Sequence, residues 1–83
     1  SMKTGWVLTG GKWYYFNSQG AMQVGWQEIN NQWYYFDSNG EMQTGWLKYN
    51  GEYYLLYSDG QMARNCELYG YSFNNSGVAT KIQ

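Results

Sequence analysis

Large aromatic residues fall in pairs seven positions apart along this chain: Trp6 with Trp13, Trp26 with Trp33, and Trp46 with Tyr53. The second member of each pair opens a run, Trp13-Tyr14-Tyr15-Phe16, Trp33-Tyr34-Tyr35-Phe36 and Tyr53-Tyr54-Leu55-Leu56. Besides apolar contact, such rings offer a ligand one chemistry. Their faces are electron-rich and attract cations, and a quaternary ammonium, with no N–H to hydrogen-bond, suits an all-aromatic site. Three rings give a gross attraction of about 2–6 kcal/mol, which leaves an affinity on the order of millimolar after immobilisation. Several weak sites meeting a polymer with repeated headgroups gain avidity without new contacts.

Other chemistries lack their residues. There is no histidine, the six carboxylates are dispersed, and no serine or cysteine has an evident base, so no catalytic residue is expected. A single cysteine, Cys66, forms no internal disulfide and is a poor basis for a metal site. It reads as a small buried residue. No cofactor is implied. The basic residues Lys3, Lys12, Lys48, Arg64 and Lys81 are scattered and the net charge is −1, which argues against nucleic acid. No apolar run approaches the length of a membrane span. Glu28, Asp37 and Glu41 read as solvated charges.

The elements that must position the rings repeat every twenty residues. Gly5-Trp6, Gly25-Trp26 and Gly45-Trp46 keep that step, as do Gly20, Gly40 and Gly60, and Met22, Met42 and Met62. A fourth copy is eroded: Asn65-Cys66 replaces Gly-Trp, and Gly70-Tyr71-Ser72-Phe73 replaces the aromatic run. Terminal copies of a solenoid are expected to degenerate, because they turn a polar face to water. Each unit predicts a β-hairpin with its turn at Gly10-Gly11, Asn30-Asn31 or Asn50-Gly51, pairs that tolerate the positive φ of a type I′ turn. Ser18-Gln19-Gly20 and its equivalents read as turns between hairpins.

Alternation along the strands then fixes two faces. Trp6, Leu8, Trp13 and Tyr15 share one, with Val7, Tyr14 and Phe16 on the other. The second unit repeats this with Trp26, Glu28, Trp33 and Tyr35 against Gln27, Ile29, Tyr34 and Phe36. The Tyr-Phe face reads as buried interior. The Trp face includes Glu28 and Lys48, which are costly to bury unpaired, and reads as a half-open groove. Two tryptophans on that face, met by a tyrosine from the next hairpin, make a three-walled box. Met22 is a candidate fourth wall, with gap-filling as the competing reading. The first hairpin, having no preceding repeat, is expected to leave Trp6 and Tyr15 uncovered, so a homodimer is one expectation.

These residues resemble the choline-binding, or cell-wall-binding, repeat family of Gram-positive bacteria and their phages. The stretch from Gly25-Trp26 through Trp33-Tyr34-Tyr35-Phe36 to Gly40, Met42 and Thr44-Gly45-Trp46 carries the likeness, which extends over Thr4 to Thr80. The resemblance implies an all-β solenoid of stacked hairpins, located outside the cell on the bacterial cell wall, holding a secreted parent protein to phosphocholine on teichoic acid. It implies a binding module and not an enzyme. On this view 1–3 is a cloning scar with a linker, and 4–83 is a repeat domain of three full hairpins plus a degenerate cap ending at a natural C-terminus.

The family cage takes two ring positions from one repeat and the second tyrosine of the run in the next. Carried over, that implies Trp6, Trp13 and Tyr35, with Met22, as a complete choline site. A second site of Trp26, Trp33 and Met42 is incomplete, because its third wall falls on Leu55. Trp46 and Tyr53 would face Ser72, which is poorer still. Related aromatic repeats bind carbohydrate, so a glucan-type ligand stands as the alternative, and a purely structural or assembly role as a third reading.

Overall fold

The computed structural model describes residues 3–82. The expected scar at Ser1-Met2 lies outside them. The described residues form strands and turns without helix. In chain order the strands are β1 (Gly5–Thr9), β2 (Lys12–Phe16), β3 (Gly25–Ile29), β4 (Gln32–Phe36), β5 (Gly45–Tyr49), β6 (Glu52–Leu56), β7 (Cys66–Leu68), β8 (Tyr71–Phe73) and β9 (Ala79–Lys81). The first six pair as three antiparallel hairpins, and the last three form one sheet in the order β7-β8-β9.

The turns follow from the residues at their tips. Gly10 and Gly11, Asn30 and Asn31, and Asn50 and Gly51 all have positive φ, between 54° and 83°, as a two-residue type I′ connection needs. Those tips set the register. Trp6 lies opposite Tyr15 and Trp26 opposite Tyr35, while Leu8 faces Trp13 and Glu28 faces Trp33. Lys48 faces Tyr53 in the third hairpin.

A side chain closes each connecting loop. The carboxamide oxygen of Asn17 accepts from the backbone N–H groups of Gln19 and Ala21, both at 2.9 Å. Asp37 Oδ1 does the same for Asn39 and Glu41, and its Oδ2 accepts from Gln43. Asp37 is therefore a loop brace rather than a free solvated charge. Asn74 closes the last loop through Ser76 and Val78. The third copy has Tyr57 at this place, and its hydroxyl lies 3.6 Å from the half-buried Cys66 Sγ instead. That hydrogen bond, with partial burial, raises the Tyr57 phenol above the ordinary tyrosine pKa.

The chain divides into two compact units, residues 1–43 and 44–83. Inside the first, one hairpin stacks on the next through rings. Trp6 meets Tyr34 with centroids 4.9 Å apart and Phe36 at 5.8 Å. The Trp face and the Tyr-Phe face are thus not outside and inside. In this unit the first hairpin lays its Trp face on the Tyr-Phe face of the second. Trp6 is covered in this way, so the open end of the first hairpin is the opposite face, where Val7, Tyr14, Phe16 and Met22 line a cleft of about 330 Å³.

The second unit repeats the arrangement with shorter strands. Trp46 meets Tyr71 at 5.0 Å and Phe73 at 5.9 Å. Leu55, Ala63 and Phe73 form its core, with Cys66, Leu68, Tyr71 and Ala79 packed around them. Phe36 and Phe73 are the fully buried rings, and truncating either to alanine removes about 3–5 kcal/mol of packing.

Candidate functional site

In the first unit the rings converge on Trp6. Its indole stands perpendicular to that of Trp13, with centroids 6.0 Å apart and planes at 86°, so the two form a corner. Tyr15 crosses the hairpin to lie 5.2 Å away, edge-on. Tyr34 closes the corner from the second hairpin. Trp6 is half-buried while Trp13 is 40% exposed, which leaves a ring face open to a ligand.

Two residues of the expected set are seen with neighbours other than Trp6. The second-hairpin ring against Trp6 is Tyr34, whereas Tyr35 stands across its own hairpin from Trp26 at 5.2 Å. Alternation explains the shift. Tyr35 shares the face of Trp26 and Trp33, so the residue directed at the first hairpin is its neighbour. Met22, expected as a fourth wall, is bridged to Phe16 and lines the cleft with Tyr14. Its thioether also lies over Gly40, where an added Cβ would come 2.5 Å from the sulfur. The methionine held beside Trp13 is Met42, whose N–H donates to the Trp13 carbonyl at 2.9 Å. Glu41 lies next to it, 4.0 Å from Lys12 Nζ.

The residues of the expected second site are distributed between the units. Trp26 and Trp33 belong to the first. Leu55 belongs to the second, where it is buried at 7% exposure in the core with Ala63 and Phe73. Within that unit Leu55 is a packing residue.

The third copy, which the sequence left without a partner ring, has one. Trp46, Tyr53, Tyr69 and Tyr71 line a cavity of about 430 Å³. Ser72 is paired with Glu67 and Thr80 in the sheet, and Tyr71 takes the position that Tyr34 holds in the first unit. Lys48 Nζ lies 5.7 Å from the Tyr53 ring centroid. The signal for Tyr71 was in the sequence, since Tyr71-Ser72-Phe73 keeps the spacing of Tyr34-Tyr35-Phe36. Tyr69 takes a hairpin-turn position that holds Gly or Asn in the other copies, so the repeat pattern gives no signal for a ring there.

Comparison with known proteins bears on what such corners do. A choline-binding repeat model matches residues 23–66, and a cell wall binding repeat model matches residues 4–22. Among curated protein sequences none matches the chain. Choline binding protein F from Streptococcus pneumoniae is 46% identical over 95% of this chain, with a TM-score of 0.91. The chain spans only 27% of that protein. The choline binding domain of Spr1274, also from Streptococcus pneumoniae, is 36% identical, with 95% of this chain and 96% of that one covered and a TM-score of 0.89. A pneumococcal cell wall endolysin from phage Cp-1, solved complexed with choline, is 36% identical over 82% of this chain and 19% of its own, with a TM-score of 0.68. Choline-binding repeats are binding modules, and the larger proteins that carry them include a modular autolysin. With hairpins at a twenty-residue step, each unit built on a Trp-to-Tyr ring contact, this chain belongs to the choline-binding repeat family of cell-wall-binding modules.

Proposed function

We propose that this chain is a non-catalytic module that binds choline in aromatic corners and so fastens a parent protein to phosphocholine on the teichoic acid of a bacterial cell wall. The observation that carries the reading is the corner of Trp6 and Trp13 closed by Tyr34. Two perpendicular indoles with a phenol packed edge-on against one of them gather aromatic surface of the kind that attracts a trimethylammonium group. In this reading Tyr34 serves as the third wall in place of Tyr35, supported by its contact with Trp6, and Met42 is the methionine whose backbone adjoins Trp13. The neighbouring Glu41 adds a negative charge without needing to touch the ligand. Choline bound to the phage endolysin supports the choice of ligand over carbohydrate.

Tryptophan fluorescence tests this simply. Choline should change the emission with a saturable, millimolar midpoint, and α-glucan oligosaccharides should leave it unchanged. A response to the glucan with none to choline would replace the reading with a carbohydrate-binding one.

A further inference from the structure

We infer that Tyr69 is a fourth wall of the cavity in the second unit, held there by a strained turn so that this site grips a methylated ammonium group more tightly than three rings would. The inference rests on the cage reading above and adds a residue and a site to it.

The backbone supplies the first argument. Tyr69 and Gly70 form the turn between β7 and β8, and Tyr69 has φ of 55°. The equivalent first positions of the other hairpin turns hold Gly10, Asn30 and Asn50, residue types that accept a left-handed backbone. A tyrosine there crowds its Cβ against the following carbonyl. Burial does not offset this, because Tyr69 is 76% exposed. Strain without packing gain points to a use for the side chain.

Geometry supplies the second. β7 and β8 have three residues each, against five in the strands of the other hairpins. The shortened hairpin brings its turn level with the ring site, and Tyr69 lines the cavity beside Trp46, Tyr53 and Tyr71. Four aromatic residues around about 430 Å³ make a site within the size range of small-molecule pockets. Its lining is rich in ring faces, and the chemistry they share is attraction for a cation that has no N–H to donate. A trimethylammonium headgroup is such a cation, and the open mouth lets the chain attached to it leave.

Choline titrations of the full chain, followed by NMR at the indole N–H signals, report the two units separately through Trp13 and Trp46. Tyr69→Asn replaces a strained residue with one that suits the turn. It should raise the thermal midpoint and weaken the Trp46 response by about two- to fivefold, leaving the Trp13 response unchanged. Tyr69→Phe should keep the affinity. The uncharged analogue 3,3-dimethylbutan-1-ol should lose less than choline does on Tyr69→Asn. Should Tyr69→Asn fail to fold, Tyr69→Leu keeps the turn strain and apolar contact without a ring, and the same loss is expected. Choline affinity at Trp46 equal to that of the unaltered chain, in a folded Tyr69→Asn or Tyr69→Leu, overturns the inference. Failure of the cage reading itself looks different: no indole signal moves with choline even in the unaltered chain.

Discussion

The indole of Trp46 meets the ring of Tyr71 edge-on, with centroids 5.0 Å apart and planes at 62°. Trp6 meets Tyr34 in nearly the same way, at 4.9 Å and 70°. The second ring in each set also recurs, Phe73 at 5.9 Å and Phe36 at 5.8 Å. A copy that has lost its Gly-Trp pair, and whose hairpin strands have three residues instead of five, therefore still supplies the ring its predecessor needs. What survived in the eroded copy is the Tyr-x-Phe spacing, which keeps both rings on the face toward the preceding hairpin.

Reassigning the third wall separates two neighbours. Tyr34→Leu should preserve the fold and remove one ring from the first cage, costing about 1 kcal/mol of binding, or roughly fivefold. Tyr35→Leu should lower stability through its contact with Trp26 and leave the Trp13 titration within about twofold. Calorimetric or NMR titrations of the two variants with choline compare them. Equal losses, or a greater loss for Tyr35→Leu, would restore the expected assignment.

The fold was legible to the residue where chemistry is local. The Gly-Gly, Asn-Asn and Asn-Gly tips fixed the turns and the register, and through them the opposition of Trp6 with Tyr15 and Trp26 with Tyr35. What alternation could not tell was which face of one hairpin receives which face of the next. That is a question of stacking between hairpins, and it set Tyr34 rather than Tyr35 against Trp6. The burial of Leu55 was not legible for a related reason: it packs with Phe73 and Ala63, and no turn residue announces that. Tyr69 escaped because it breaks the repeat it belongs to.

Leu55 should not tolerate the ring that the repeat pattern invites there. It is 7% exposed in a core with Phe73 and Ala63. Leu55→Tyr overfills that core and brings in a hydroxyl without a partner, so a loss of about 1–3 kcal/mol is expected in urea unfolding. A variant as stable as the parent would show that the site has room.

Gly40 is tied to Met22. Its φ is 82°, and a Cβ there would lie 2.5 Å from the Met22 sulfur and 2.9 Å from its methyl carbon. Gly40→Ala should destabilise by about 1–2 kcal/mol from the backbone alone, with the thioether displaced in addition. Met22→Ala should relieve the second part and not the first, so a double-mutant cycle should give a favourable coupling between the two changes. Strict additivity would mean that the methionine moves aside freely.

Lys48 puts a resident cation near the second cage, 5.7 Å from the Tyr53 ring centroid. Its counterpart in the first hairpin is the uncharged Leu8. Lys48→Gln should tighten choline at Trp46 by about two- to threefold and weaken its salt dependence, since the repulsion removed is solvent-exposed and screened. Unchanged affinity at low ionic strength would place the lysine outside the ligand's field.

Intermolecular NOEs between the choline methyl protons and the chain at saturating ligand test the cage assignment most directly. The account predicts transfer from the methyl singlet to ring protons of Trp6, Trp13 and Tyr34 together. Transfer confined to other residues, or a saturated complex in which Tyr35 and not Tyr34 receives it, would contradict the corner described here.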